Sequence, residues 1–226
     1  MLVISLGGSV IVPDKVDYKF LKRFRKIIAR YSRKEKIVIV TGGGSTFRRY
    51  MQALEKEKLD EKTLGLIGMA TTKLNARVVA GFFNKTGEIP NSVNDVRMAL
   101  RKTNIVICGA LGFRAGTTTD GNAAEIARQL KAKLLLNITN VKGLYNRDPR
   151  KHKGARLISR ISFNEFDMIA RRIKYHAGQH FVLDQKAAGI IKSKKIKTVI
   201  ISGRNIKNLE RFFKGKRFVG TVIENG

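Results

Sequence analysis

The chain has 226 residues, 43% of them hydrophobic and 28% charged, enough for one large or two small folded domains with a sizeable core. Its 46 lysines and arginines against 17 aspartates and glutamates give a formal net charge of +29. One cysteine excludes an intrachain disulfide, three scattered histidines argue against a zinc site, and no run nears the roughly 18 apolar residues of a membrane span.

The apolar run Leu2–Leu6 predicts a first strand, closed by Gly7, Gly8 and Ser9. Phe20, Phe24, Ile27, Ile28 and Tyr31 then recur at three- and four-residue spacing among basic residues, which predicts an amphipathic helix. A second strand, Ile37–Thr41, runs into Gly42, Gly43, Gly44 and Ser45. The apolar helix expected over residues 64–83 reads either as core or as a face for association. A third strand at 105–109 holds Cys108, read as a buried, inert thiol, and precedes a glycine-rich turn over 112–119. Ile126, Leu130 and the alanines before them mark a helix after Asp120, and residues 134–138 and Thr198–Ser202 predict two more strands.

These strands are short and apolar throughout, as expected when both faces are covered. Their alternation with helices predicts an α/β fold, a three-layer αβα sandwich around a mostly parallel open sheet. A soft boundary at 150–155, after Asp148 and Pro149, would divide a single domain of residues 1–226 into halves 1–150 and 151–226. The N-terminus lacks the basic, apolar and small-residue pattern of a signal peptide, so a soluble, cytoplasmic protein without membrane attachment is expected.

Basic residues are spread along the length, with clusters at 22–26, 147–153, 192–197 and 214–217. Such a charge attracts nucleotides, nucleic acids and anionic surfaces in a salt-sensitive way. No basic zipper, zinc finger or ribonucleoprotein aromatic motif accompanies it, so sequence-specific nucleic-acid recognition is not expected, and a cationic bias of the whole source proteome would look the same.

The strongest functional signal is three glycine-rich turns, each directly after a predicted strand. Glycine allows a sharp turn and close approach to a ligand, and a helix starting beyond it offers unpaired N–H groups and a positive dipole end to an anion. In an open α/β sheet all three turns gather outside the carboxyl ends of the strands, where ligands bind. The pattern describes a pocket for phosphate groups. Neither the P-loop nor the dinucleotide-binding glycine fingerprint is present, so any ATP would be handled by another scaffold. Taken singly, Asp120 reads as a helix cap, Tyr145 as a core aromatic and Asp148-Pro149 as a turn.

Four segments together carry a resemblance: Val3 through Ser9, the turn Gly42-Gly43-Gly44, Gly116-Thr117-Thr118-Thr119-Asp120, and Thr139-Asn140-Val141-Lys142-Gly143-Leu144-Tyr145 followed by Asp148-Pro149. In order and spacing they resemble the amino acid kinase family, and within it the uridylate kinase branch, especially its archaeal type. Gly42 through Tyr50 is similar to that branch's acceptor loop, Gly68 through Arg77 to its next helix, and Leu183-Asp184 with Ala187-Ala188 to its late helix start.

The resemblance implies transfer of the γ-phosphoryl group of ATP to UMP, giving UDP and ADP with Mg²⁺, in pyrimidine nucleotide synthesis and usually in a homohexamer. It assigns Arg48, Gly43, Gly44, Thr118 and Thr119 to the acceptor, Gly8 and Ser9 to the transferring phosphoryl group, and Asp120 to organising the catalytic groups. Gly7, Gly8, Thr139, Asn140, Tyr145 and Asp148 fall to ATP, and no residue is assigned as a metal ligand. The first half would bind the acceptor and the second mainly ATP.

Four positions depart from the pattern: Ser5 where many members have lysine, Gly65 where the branch has a ribose-binding aspartate, Lys142 where aspartate is common, and Gln185 where proline is expected. Lys142 and Lys186 are candidates to replace the missing lysine. Two other readings stay open, a kinase of another small phosphate or carboxylate and a non-catalytic nucleotide-binding or storage protein of the same fold.

Overall fold

Side chains along a strand alternate between its two faces, and here both faces are aliphatic. In β1 (Leu2–Leu6), Leu2, Ile4 and Leu6 join one core cluster and Val3 the other, and all are buried. The computed structural model describes residues 1–112, 118–147, 149, 152–172 and 183–225.

After β1 come α1 (Gly8–Ile11), α2 (Tyr18–Tyr31), β2 (Ile37–Thr41), α3 (Gly44–Ala53), α4 (Glu61–Phe82), α5 (Val93–Lys102), β3 (Ile105–Cys108), α6 (Thr119–Gln129) and β4 (Leu134–Thr139). The remainder forms β5 (Arg160–Ser162), α7 (Phe163–Arg172), α8 (Gln185–Lys194), β6 (Thr198–Ser202), α9 (Ile206–Phe213) and β7 (Gly220–Glu224).

The seven strands make one sheet in the order β3-β2-β1-β4-β6-β7-β5. β3, β2, β1, β4 and β6 are mutually parallel, β7 runs antiparallel to β6, and β5 is parallel to β7. The expected α/β sandwich with a mostly parallel sheet is therefore what the chain forms. β5 and β7 escaped the sequence reading because neither is a long apolar run: β5 has three residues, and β7 has only Val222 and Ile223 between Thr221 and Glu224.

Helices cover both faces. Val10 and Ile11 of α1, Phe20 and Phe24 of α2, Val79 of α4 and Leu209 of α9 pack on one side with Leu2, Ile4 and Ile39. Val96 of α5, Ile126 of α6, Phe166 of α7 and Ile191 of α8 pack on the other with Val3, Val38 and Leu135. α2, α4, α5, α6, α8 and α9 each start where a side chain satisfies a free N–H group, whereas α1 and α3 start at Gly7 and Gly43 without one: Asp17 accepts from Phe20 N (2.9 Å) at α2, and Ser92 and Asp95 form a reciprocal capping box at α5. Cys108 is fully buried on β3, which pushes its thiol up to about 12 and keeps it unreactive at neutral pH. No described helix is long and apolar enough to cross a membrane.

Because β1, β2 and β4 are parallel neighbours, their carboxyl ends leave the sheet side by side. The chain beyond them, together with the start of α6, encloses the site.

Candidate functional site

The first wall is backbone. Gly7 N–H donates to Ile138 O (2.9 Å) and Gly42 N–H to Leu6 O (3.0 Å), so the turns after β1 and β2 extend the sheet and then meet each other. A Cβ on Gly8 would overlap the backbone of Gly44 and lie 2.7 Å from the carbonyl carbon of Gly42. Gly44 has φ +68°, a left-handed conformation that favours glycine, and opens α3. The short α1 begins at Gly8, and its first intrahelical donor is Val10, whose N–H returns to Gly7 O (2.9 Å). The N–H groups of Gly8 and Ser9 thus precede the helical ladder. Arg48, one turn into α3, is exposed and lines the same cleft, whereas Arg49 turns away to an ion pair with Asp14.

The opposite wall is side chain. Ser5 shares with Val3 the sheet face that α6 covers, and Asp120 lies in the first turn of α6, so the two meet: Ser5 Oγ donates to Asp120 Oδ1 (2.8 Å). Asn137 stands opposite Ser5 in the β1–β4 register, and its Nδ2 lies 3.4 Å from the same oxygen. Asp120 is partly open to the cleft and otherwise enclosed by protein. Desolvation pushes its carboxyl up to about 7; the Ser5 hydrogen bond works against that rise, and the charge of Asp184 adds to it.

The cap of α6 is Thr118, not Asp120: Thr118 Oγ accepts from Gly121 N (3.1 Å). The Thr118 hydroxyl donates in turn to Asp184, which itself caps α8 by accepting from Ala187 N (2.7 Å). One hydroxyl therefore ties the starts of two helices together beside the cleft.

The cleft has a volume of about 220 Å³. It brings together Gly7, Gly8, Ser9, Gly43, Gly44, Arg48, Thr118, Thr119, Asp120, Thr139 and Asn140, all singled out from the sequence. Tyr145 is not in its lining; it forms an isolated bridge with Leu157. Asp148 lies outside the described residues, as do residues 113–117 of the third glycine-rich turn. Gly7 shapes the turn, since its N–H is already engaged by Ile138 O.

The sequence reading missed Asn137 as a lining residue and missed the partnerships of Ser5 and Asp184. Asn137 had a signal, a lone amide inside the apolar run of β4. Lys142 and Lys186, the candidate replacements for a lysine at position 5, are both exposed and absent from the cleft lining.

An arrangement of glycine-wall N–H groups, one guanidinium and one enclosed carboxylate with flanking hydroxyls suits two phosphate-bearing ligands meeting in line. Comparison with known proteins agrees. Residues 1–202 match the model of the amino acid kinase family. The chain is 35% identical over 225 residues to a uridylate kinase of Thermoplasma acidophilum, covering 99% of this chain and 96% of that protein. It is 35% identical over 226 residues to a uridylate kinase of Thermococcus kodakarensis, covering 99% of each. The crystal structure of uridylate kinase from Archaeoglobus fulgidus superposes with a TM-score of 0.86 at 31% identity, covering 98% of this chain and 99% of that one. With its family pattern, its fold and its cleft in agreement, the chain belongs to the amino acid kinase family.

Proposed function

We propose that this protein transfers the γ-phosphoryl group of ATP to UMP, giving UDP and ADP, within the cleft between Gly8, Gly44 and Asp120. The observation that carries the reading is the convergence of Arg48, the glycine wall and the Thr118–Asp120 turn on one cavity, in a chain that matches uridylate kinases over its full length. An oxygen of the UMP phosphate attacks the γ-phosphorus, the bond from that phosphorus to the β–γ bridging oxygen breaks, and ADP leaves with the electron pair. The acceptor phosphate is already ionised, so the protein contributes position and charge neutralisation rather than a strong base.

Arg48 grips the UMP phosphate as a two-pronged donor, with the N–H groups of Gly43 and Gly44 beside it and the hydroxyls of Thr118 and Thr119 toward the nucleoside. Gly8 and Ser9 face the transferring group through their N–H groups, and Gly7 fixes their turn. Thr139, Asn140, Tyr145 and Asp148 belong to the ATP side, which together with residues 151–226 forms mainly the donor half, residues 1–150 forming mainly the acceptor half. Asp120 holds the hydroxyl of Ser5 and so organises the junction between the two.

The donor set suits Mg²⁺ carried on nucleotide phosphates, since Mg²⁺ commonly takes one or two carboxylates with substrate oxygens and no group of three His, Cys, Asp or Glu side chains gathers among the described residues. Asp120 is the carboxylate in the cleft lining that would join it, and the ion would neutralise charge on the transferred group. A homohexamer in the cytoplasm completes the reading, on the strength of the family resemblance.

The test is ADP release with ATP and Mg²⁺ against UMP, CMP, dUMP, AMP, isopentenyl phosphate and N-acetylglutamate, for the wild type and Arg48→Ala. Selective turnover of UMP is expected, with kcat/KM for the variant lower by about 10²-fold and its acceptor KM raised. Turnover of another acceptor alone, nucleotide binding without turnover, or an Arg48→Ala effect below about threefold would overturn the assignment.

A further inference from the structure

The net charge is spread along the sequence but not evenly over the folded molecule. α2 and α9 lie side by side on one face of the sheet, joined by an edge-on contact of Tyr31 and Phe213 with ring centroids 5.0 Å apart. Both turn their apolar residues inward, so their outer sides are left to the intervening charges. Eight lysines and arginines lie between Lys19 and Lys34 with no acidic residue among them, and six lie between Arg204 and Arg217 with Glu210 as the only acid. All fourteen are exposed.

Among the described residues, none of the fourteen forms an ion pair with a carboxylate. Glu35, the acid next to this run, is taken by the N-terminal ammonium of Met1. The opposite layer differs: Asp167 binds both Arg171 and Lys192, and Glu125 binds Arg128. The two faces therefore differ in their acids: the α2/α9 runs hold fourteen cations with Glu210 as their only acid, whereas the opposite layer carries Asp167 and Glu125, each engaged with cations of its own helices.

We propose that the α2/α9 face is a docking surface for a nucleic-acid strand, held through its phosphate backbone without regard to base sequence. The charge complementarity is direct, because fourteen exposed cations face a chain of evenly spaced phosphates, whose counterions they displace. A second copy of this protein docked through the same face is disfavoured by the repulsion of two such faces. An anionic membrane is a poorer match, because Phe24, Ile28 and Leu209 are buried, Ile206, Phe212 and Phe213 are half-buried against the core, and no large apolar side chain of the two helices other than Tyr18 is exposed. At one end of α2, Tyr18 is 59% exposed with Lys22 Nζ 5.5 Å from its ring centroid, a platform on which an unpaired base can stack. Apart from Arg204, which follows the carboxyl end of β6, the face lies on the outer side of a covering layer and none of its cations lines the cleft, so docking does not require the catalytic site.

The experiment is fluorescence anisotropy of a labelled single-stranded oligoadenylate, titrated with the intact protein between 50 and 200 mM salt. A strand held by roughly six phosphates loses about 300-fold in affinity across that range. Reversing Lys26, Arg30, Lys207 and Lys216 to Glu is expected to flatten the salt slope by about three units. Reversing Lys102, Lys133, Lys153 and Lys194, which are exposed elsewhere, makes the same change in net charge and is expected to alter the slope by less than about one unit. Unchanged thermal unfolding and far-UV circular dichroism in both variants report an intact fold. Equal losses in the two variants, or no binding by the wild type at 50 mM salt, would overturn the proposal. So would tighter binding to phosphatidylserine vesicles than to the strand, lost with the same four residues.

Discussion

On one side of the cleft Gly8, Gly42 and Gly44 meet backbone against backbone, while on the other Asp120 is approached by the side chains of Ser5 and Asn137. The first wall has no atoms to spare: its shape is the path of two main chains, and any added side chain must displace one of them. The second is held by polar groups that can be changed one at a time without moving a strand. Substitutions on the glycine wall should therefore damage fold and chemistry together, and those on the carboxylate wall should separate them.

The largest expected effect is that of Gly8→Ala. Its methyl group would overlap Gly44, a residue already held at φ +68°, and neither loop can yield without disturbing the sheet bonds of Gly7 and Gly42. A loss of about 3 kcal/mol in stability is expected, with phosphoryl transfer abolished. Denaturant unfolding beside the coupled assay checks both. A variant that stays stable but inactive would mean that the loops separate freely and the wall is not a rigid unit.

Asp120→Asn tests the other wall. Activity should fall by about 10²-fold or more, because the carboxylate is the cleft's enclosed negative group. Stability should move the opposite way, with a sign fixed by linkage. The folded-state pKa of Asp120, raised to about 7 from an ordinary value near 4, makes the folded protein bind more protons than the unfolded chain between those values. The stability of the wild type therefore declines as pH rises through that window and stays lower above it. Asparagine has no such dependence, so the gain in Tm of the variant over the wild type should be larger at pH 8 than at pH 5. A gain that is larger at pH 5 would show that the carboxylate is stabilised in its charged form.

The glycine wall was legible in the sequence, and the carboxylate wall only in part. Gly7, Gly8 and Gly42 through Gly44 stand directly after uniformly apolar runs, and parallel strands deliver their ends to one place, so order alone implied that the turns converge. The contact of Ser5 with Asp120 spans 115 positions and depends on which face of β1 each residue takes and on which helix covers that face. Local pattern carries neither. Asp120 was read equally as a cap because capping is a local property; the structure gives that task to Thr118 and leaves the carboxylate for the cleft. Asp184 was visible only as the start of a helix, and its tie to Thr118 is again long-range. β5 and β7 were missed because a three-residue edge strand and a strand with only Val222 and Ile223 as apolar residues lack the continuous apolar signal of the central ones.

Ser5→Ala sharpens the same contrast with a smaller change. It removes one hydrogen bond to a carboxylate and leaves the backbone of β1 in place, so kcat should fall about tenfold with little change in the UMP KM. The Ser5 hydroxyl lowers the pKa of Asp120, so its loss should move the acid limb of the kcat profile to higher pH. Ser5→Thr retains a donor on the same face and should restore the limb in part. An unshifted limb in Ser5→Ala would mean that the groups titrating in catalysis do not include Asp120.

The smallest effect belongs to a glycine that is not part of either wall. Gly189 lies inside α8, the helix whose first turn is capped by Asp184, and a Cβ built there meets nothing within 4 Å. Alanine at this position gains helix propensity and loses no contact, so Gly189→Ala should stabilise the protein by about 0.5–1 kcal/mol and raise Tm by roughly 1–4 °C, with activity unchanged. Set beside Gly8→Ala, the same chemical change then has opposite signs at two helical glycines. What distinguishes them is the main chain pressed against Gly8 and the open space beside Gly189. A destabilised Gly189→Ala would show that α8 packs more closely than its surroundings indicate, and would put the Asp184–Thr118 tie, rather than the glycine wall, at the centre of the site's rigidity.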